Sequence, residues 1–214
     1  MSGTEFKVFI LISLFFSVIV FGADSFNYIN EFTFDLINLP SSFSQEYSFL
    51  FAGSFFLDEP VNSFFPSSDF LEKFNNLNLS HFSLLAVGVA IVVSPFDSYT
   101  AYTVLESFVV TAAITGVIKF FVGRGRPYAE KSAFVFKPFS TKESYQSFPS
   151  GHSSLSWAIF TPVARRFGDF WYAIPSIFSL QRLWSNNHWL SDVLYGGFLG
   201  FSVGNSFYNS KINY

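Results

Sequence analysis

Apolar residues along this chain collect in blocks separated by short polar stretches. The blocks are 8–21, 47–57, 82–96, 99–122, 153–164, 170–184 and 193–208. In 84–93 (Leu-Leu-Ala-Val-Gly-Val-Ala-Ile-Val-Val) there is no polar face at all. A helix that is apolar all round belongs inside protein or lipid. Several blocks hold only about 15 residues, which as helix reach ~22 Å against a hydrocarbon core of ~30 Å. Such lengths suit the core helices of a soluble bundle as well as membrane spans. Aromatic residues crowd the block ends, as at Phe170-Trp171-Tyr172, in the manner of an interfacial belt, which favours the membrane. The pattern therefore predicts an all-α protein, a helical bundle that crosses the membrane several times.

The first two blocks are set apart from the rest. Block 8–21 follows Lys7 in the charged-then-apolar order of a secretory signal, with Val20-Phe21-Gly22 as a small-residue cleavage site before Ala23. The other reading is an uncleaved anchor, so 1–22 is expected to be a signal peptide or signal anchor. Residues 24–46 carry Asn, Ser, Asp and Pro among aromatics and predict an irregular extracytoplasmic stretch. Block 47–57 is short, ends in Asp58-Glu59-Pro60, and predicts an interfacial or partly buried helix that does not span. Residues 23–80 thus form an N-terminal extracytoplasmic and interfacial region ahead of a main domain at 81–208.

Composition narrows the chemistry. Charged residues are 13% of the 214, and aromatics are 22%, with 33 Phe; soluble domains average ~25% charged. A net charge of −3 without a basic block offers nucleic acid no electrostatic footing. There is no Cys, which excludes disulfides and Cys-based metal sites. Of the three His, His81 stands alone ahead of an apolar block and predicts a helix-start residue. With no His-Glu-x-x-His pattern and no carboxylate cluster, no metal and no cofactor is expected.

Three motifs lie in the polar breaks of the second half. Lys119 is followed after six residues by Arg126-Pro127; then comes Pro149-Ser150-Gly151-His152; then Arg182, five residues, His188, three residues, and Asp192. Each has an ordinary explanation alone: a snorkelling lysine, a turn with a helix cap, a polar loop histidine. Together they supply what a phosphoryl group requires, namely fixed positive charge, a nucleophile and an acid. Arg126 and Arg182 can each grip two oxygens in a planar fork, with Lys119 as a point charge. Ser150 and Gly151 open a helix, where outward N–H groups favour an anion and Gly151 admits it close to the main chain. His188 is the candidate nucleophile, with Asp192 one helical turn on to orient it. His152 is the candidate acid for the leaving group and the base for water.

The order Lys-x6-Arg-Pro, Pro-Ser-Gly-His, Arg-x5-His-x3-Asp resembles the type 2 phosphatidic acid phosphatase superfamily, which also holds bacterial acid phosphatases and vanadium haloperoxidases. The resemblance covers about 80–208 and is strongest at 119–127, 149–152 and 182–192; the last stretch looks most like bacterial members. Gln181 departs from the Ser that usually precedes the third-motif Arg. The resemblance implies a catalytic domain at 81–208 and a metal-independent phosphatase working through a phosphohistidine on His188, with His152 and Asp192 in the roles above.

If the later blocks span, all three motifs fall on one face. Arg165-Arg166, Lys211 and, for an uncleaved anchor, Lys7 then fall on the other, and short-loop Lys and Arg mark the cytoplasmic side. The expected place is a bacterial cell membrane, multi-pass, with the site extracytoplasmic; a soluble secreted or periplasmic enzyme is the alternative. The expected partners are the membrane and a phosphorylated lipid or small phosphoester. Phosphatidic acid, phosphatidylglycerol phosphate, an isoprenoid pyrophosphate and lipid A share the phosphoryl end that the motifs address, which leaves 24–80 and the loop 128–148 to discriminate among them. Two other functions remain open at this point: a vanadate-dependent haloperoxidase, and a non-catalytic phosphate- or lipid-binding membrane protein.

Overall fold

The computed structural model describes residues 33, 37, 53–65 and 77–212. The expected signal or anchor at 1–22 and most of the N-terminal region lie outside these residues. Among the described residues the protein is helical, with no strand and one isolated antiparallel bridge between Arg124 and Phe136. The helices are α1 (Asp58–Phe64), α2 (Leu79–Val93), α3 (Ser98–Val122), α4 (Gly151–Phe167), α5 (Ala173–Trp184) and α6 (Leu190–Ile212). Short 3-10 turns at Phe55–Leu57, Glu143–Tyr145 and Asp169–Tyr172 join them. The expected all-α bundle is what the chain forms.

Caps explain the boundaries. Asn78 starts α2 by accepting the N–H groups of Ser80 and His81, and His81 returns a ring nitrogen to the Asn78 N–H. His81 is thus the helix-start residue expected of it. The Asp97 side chain caps α3 at the Thr100 N–H, and Gly123 ends it in the left-handed conformation at φ 58°. A side chain at 123 would collide with the Lys137 carbonyl, 1.8 Å from its Cβ. Block 170–184 divides because a 3-10 turn precedes α5. Asp58, which reads as the end of an apolar block, instead begins α1.

Helix α4 is central, packed between α3, α5 and α6. It runs antiparallel to α3: Thr115 meets Ser154 at one end, and Arg166 meets Asp97 at the other. It runs parallel to α6, and here the backbones touch. A Cβ on Gly196 would lie 2.5 Å from the Ser150 carbonyl oxygen, one on Gly200 2.1 Å from that of Ser154, and one on Gly204 2.9 Å from Thr161 Cβ. Glycine every fourth residue lets two helices approach in this way. Phe82, Val104, Phe108, Ile159 and Val163 fill the core between α2, α3 and α4.

One described helix, α3, is long and apolar enough to cross a membrane; its 25 residues measure about 37 Å. Large apolar side chains face outward along the bundle, among them Leu84, Ile91, Val92, Val117, Phe121 and Ile177.

Candidate active site

The antiparallel and parallel pairings bring the end of α3, the start of α4, the end of α5 and the start of α6 to one pole of the bundle. Every residue of the three motifs lies there. Lys119, in the last turn of α3, donates from Nζ to the Gln146 carbonyl at 2.6 Å. Arg126 follows in the loop, where its main-chain N–H donates to the Ser144 carbonyl and its Nη1 to Asn187 Oδ1 at 3.1 Å. Arg182 closes α5 and is buried. Gln181 is buried beside it, with Oε1 3.4 Å from Arg182 Nη1.

Ser150 and Gly151 open α4. The Ser150 N–H is committed to the Asp192 carbonyl at 2.9 Å, so the anion-binding N–H groups begin at Gly151 rather than Ser150. A side chain at 151 would sit 3.8 Å from Lys119 Cε, in the space between the helix start and that cation. His152 is on the same first turn, its ring edge-on to Phe82. Buried polar atoms are nearly always paired. Arg126 Nε and His152 Nε2 are buried without a hydrogen-bond partner among the described residues, and both face a chemistry that would pair them if a phosphoryl group bound here.

His188 is 2% exposed in the turn between α5 and α6. Burial first, and then the charges of Arg126, Lys119 and Arg182, push its imidazole well below the usual histidine range. That shift favours the neutral ring. Its relation to Asp192 is less direct than the spacing suggests. Nδ1 lies 3.6 Å from Asp192 Oδ2, beyond hydrogen-bond length. Ser147 Oγ lies beside the pair, 3.5 Å from that nitrogen and donating to Asp192 Oδ2. The same Oδ2 accepts the Trp189 N–H at 2.9 Å, and Oδ1 takes Arg124 Nη1 at 2.6 Å.

The PAP2 superfamily profile matches residues 100–213. The chain belongs to the PAP2 superfamily. Two curated relatives are each 31% identical to it over 112 residues, half of this chain: a lipid A 1-phosphatase of Rhizobium johnstonii and one of Rhizobium etli. The matches cover 44% and 47% of those proteins, so the chain spans about half the length of the curated relatives it matches. Its fold is similar to the crystal structure of Aquifex aeolicus LpxE, with a TM-score of 0.53 at 18% identity, over 74% of this chain and 96% of that one.

Residues that the motifs do not flag complete the site. Asn187 holds Arg126, Ser147 binds Asp192 beside His188, and Arg124 binds Asp192 together with Asp58. A local signal exists for Arg124 alone, an arginine between two glycines in a chain with few charges. No cluster of three His, Cys, Asp or Glu that could hold a metal occurs among the described residues.

Proposed function

We propose that this protein is a metal-independent phosphatase that hydrolyses a lipid phosphomonoester through a phosphohistidine on His188. One observation carries the reading: a buried histidine, His188, a half-buried one, His152, and three cations meet at one pole, with Arg126 Nε and His152 Nε2 buried and unpaired among the described residues. Arg126, Arg182, Lys119 and the α4 N–H groups hold the non-bridging oxygens. Nδ1 of His188 faces Ser147 and Asp192, so Nε2 attacks phosphorus as the ester P–O bond breaks. His152 gives its proton to the departing alkoxide. A bound phosphate dianion favours that proton on His152. His152 then takes a proton from water, water attacks the phosphohistidine, and phosphate leaves with His188 restored.

The lipid A 1-phosphatase relatives and the outward apolar surface support a lipid substrate in a membrane. The decisive experiment is phosphate release by full-length protein in detergent, from lipid A, phosphatidylglycerol phosphate, phosphatidic acid and a soluble aryl phosphate. The expected result is turnover of at least one lipid and a loss of about 10³-fold or more in His188→Ala. His188→Ala within a few-fold of wild type would remove the nucleophile assignment. Release confined to the soluble ester would remove the lipid.

The proposed placement is multi-pass, with the site extracytoplasmic. Arg165 and Arg166 at the opposite pole support it. Because the chain has no Cys, single cysteines report without background. Lys142→Cys, near the site, should react with an impermeant thiol reagent in intact cells, and Phe170→Cys, at the other pole, should not. The reverse pattern would turn the site to the cytoplasm.

A further inference from the structure

A buried chain of charges runs behind the nucleophile, and it begins outside the region matched by the family profile. Arg124 is fully buried and sits between two fully buried carboxylates, Asp58 and Asp192, at 2.6 Å from each. Its Nε donates to the Ala133 carbonyl at 2.9 Å, and Nη1 also reaches Ser191 Oγ at 2.6 Å. Asp58 in turn accepts the Ser191 N–H on Oδ1 and the Ser191 hydroxyl on Oδ2, both at 2.7 Å. Burial pushes the Asp58 carboxyl above its usual pKa, and the bonds from Arg124 and from the Ser191 N–H and hydroxyl oppose that shift.

The segment carrying Asp58 is fastened to the site at further points. Glu59 accepts the Ala133 N–H at 3.0 Å and the Ser132 hydroxyl at 2.9 Å. Phe55 packs on Phe148 and under the Arg124 guanidinium, and Phe65 packs edge-on against Trp184. The family profile begins at residue 100, so Phe55, Asp58, Glu59 and Phe65 all reach the site from outside the matched region.

We propose that Asp58 is a positioning residue for the nucleophile, acting through Arg124 and Asp192 on His188. When His188 attacks, its ring gains positive charge, and Asp192 must stabilise that charge. A guanidinium bound to Asp192 alone would cancel the carboxylate. Sharing the guanidinium with Asp58 leaves Asp192 net negative charge to offer. This inference rests on His188 being the nucleophile of a phosphatase.

The test is Asp58→Asn in the full-length protein, measured with whichever substrate the wild type turns over. The expected result is a fall in kcat of about tenfold or more, as when outer partners of a site group are lost, with KM within about twofold. Lys119, Arg126, Arg182, His152, Asp192 and Ser147 still face His188 in this variant, so removing one negative charge should lower the His188 pKa. The acid limb of kcat/KM should then move to lower pH. A purely structural role would reduce the amount of active protein without moving that limb. Wild-type kcat and an unmoved limb would overturn the inference while leaving the phosphatase reading intact. A wild type that releases no phosphate from any substrate would end both. If Asp58→Asn does not fold, Ser191→Ala removes the hydroxyl that bridges Asp58 and Arg124 and keeps both charges. Its kcat should fall several-fold with KM unchanged, and a wild-type kcat there would also overturn the inference.

Discussion

Arg124 and Arg126 are two residues apart in Gly123-Arg-Gly-Arg-Pro127, yet they do opposite work. A regular extended segment would put residues two apart on one face, yet here the two part: Arg124 enters the wall behind Asp192, and Arg126 turns to Asn187. The difference lies in their partners. Every nitrogen of Arg124 is bonded to oxygen within the protein, at 2.6–2.9 Å. Arg126 has one side-chain hydrogen bond at 3.1 Å, a 3.6 Å approach to the exposed Glu143 carboxylate, and an unpaired Nε. A cation whose bonds are complete holds the structure together; one whose bonds are incomplete is available to a substrate.

Paired alanine variants test this contrast most severely. Arg124→Ala leaves two buried carboxylates without a counter-charge, a defect that costs about 3–5 kcal/mol. Such a loss removes a large share of typical stability, so thermal melting in detergent should fall sharply or lose its cooperative transition. Arg126→Ala should melt like the wild type and lose about 10²–10³-fold in kcat/KM, the usual result of deleting one transition-state donor. If Arg124→Ala melts normally, or Arg126→Ala unfolds, the contrast is wrong.

The smaller effect concerns protons. With its pKa pushed below the ordinary value, His188 is neutral in the folded protein while an unfolded histidine takes up a proton near pH ~6.5. The depressed value means that folding sheds that proton. This contribution to stability is complete above pH ~6.5 and is lost as the pH falls through the folded value. The chain has three His, so the His188 ring can be followed by NMR in the free protein. It should still be neutral at pH 6.5, and melting temperatures should drop below that pH. Titration of His188 at or above 6.5 would mean that the three cations do not act on it, and the phosphate side of the contrast would need redrawing.

The same contrast explains what the sequence makes legible. Helix ends can be read wherever a polar break carries its own cap, as at Asn78, Asp97 and Gly123. The phosphate-facing residues can be read because each motif sits at such an end, and because charge with no local partner stands out in a greasy chain. The wall behind them leaves no such trace. Arg124 and Asp58 pair across 66 positions, and no local pattern announces a pairing over that distance. Asp58 also sits beside Glu59 and Pro60, where acidity reads as the close of an apolar block rather than the start of α1. The i to i+4 spacing of His188 and Asp192 is real, but spacing alone does not reveal that their side chains stop at 3.6 Å or that Ser147 donates to Asp192 beside them.

The glycines at 196, 200 and 204 bear on how this protein could be re-engineered. They set α4 and α6 at backbone contact, and those two helices carry His152 and Asp192. Any side chain added there would act as a shim and move His152 relative to His188 and Asp192. A library aimed at new substrates should therefore hold those three positions constant and place its diversity at exposed loop positions such as Phe134, Thr141 and Lys142, leaving Ala133, Ser144 and Gln146 to hold Arg124, Arg126 and Lys119.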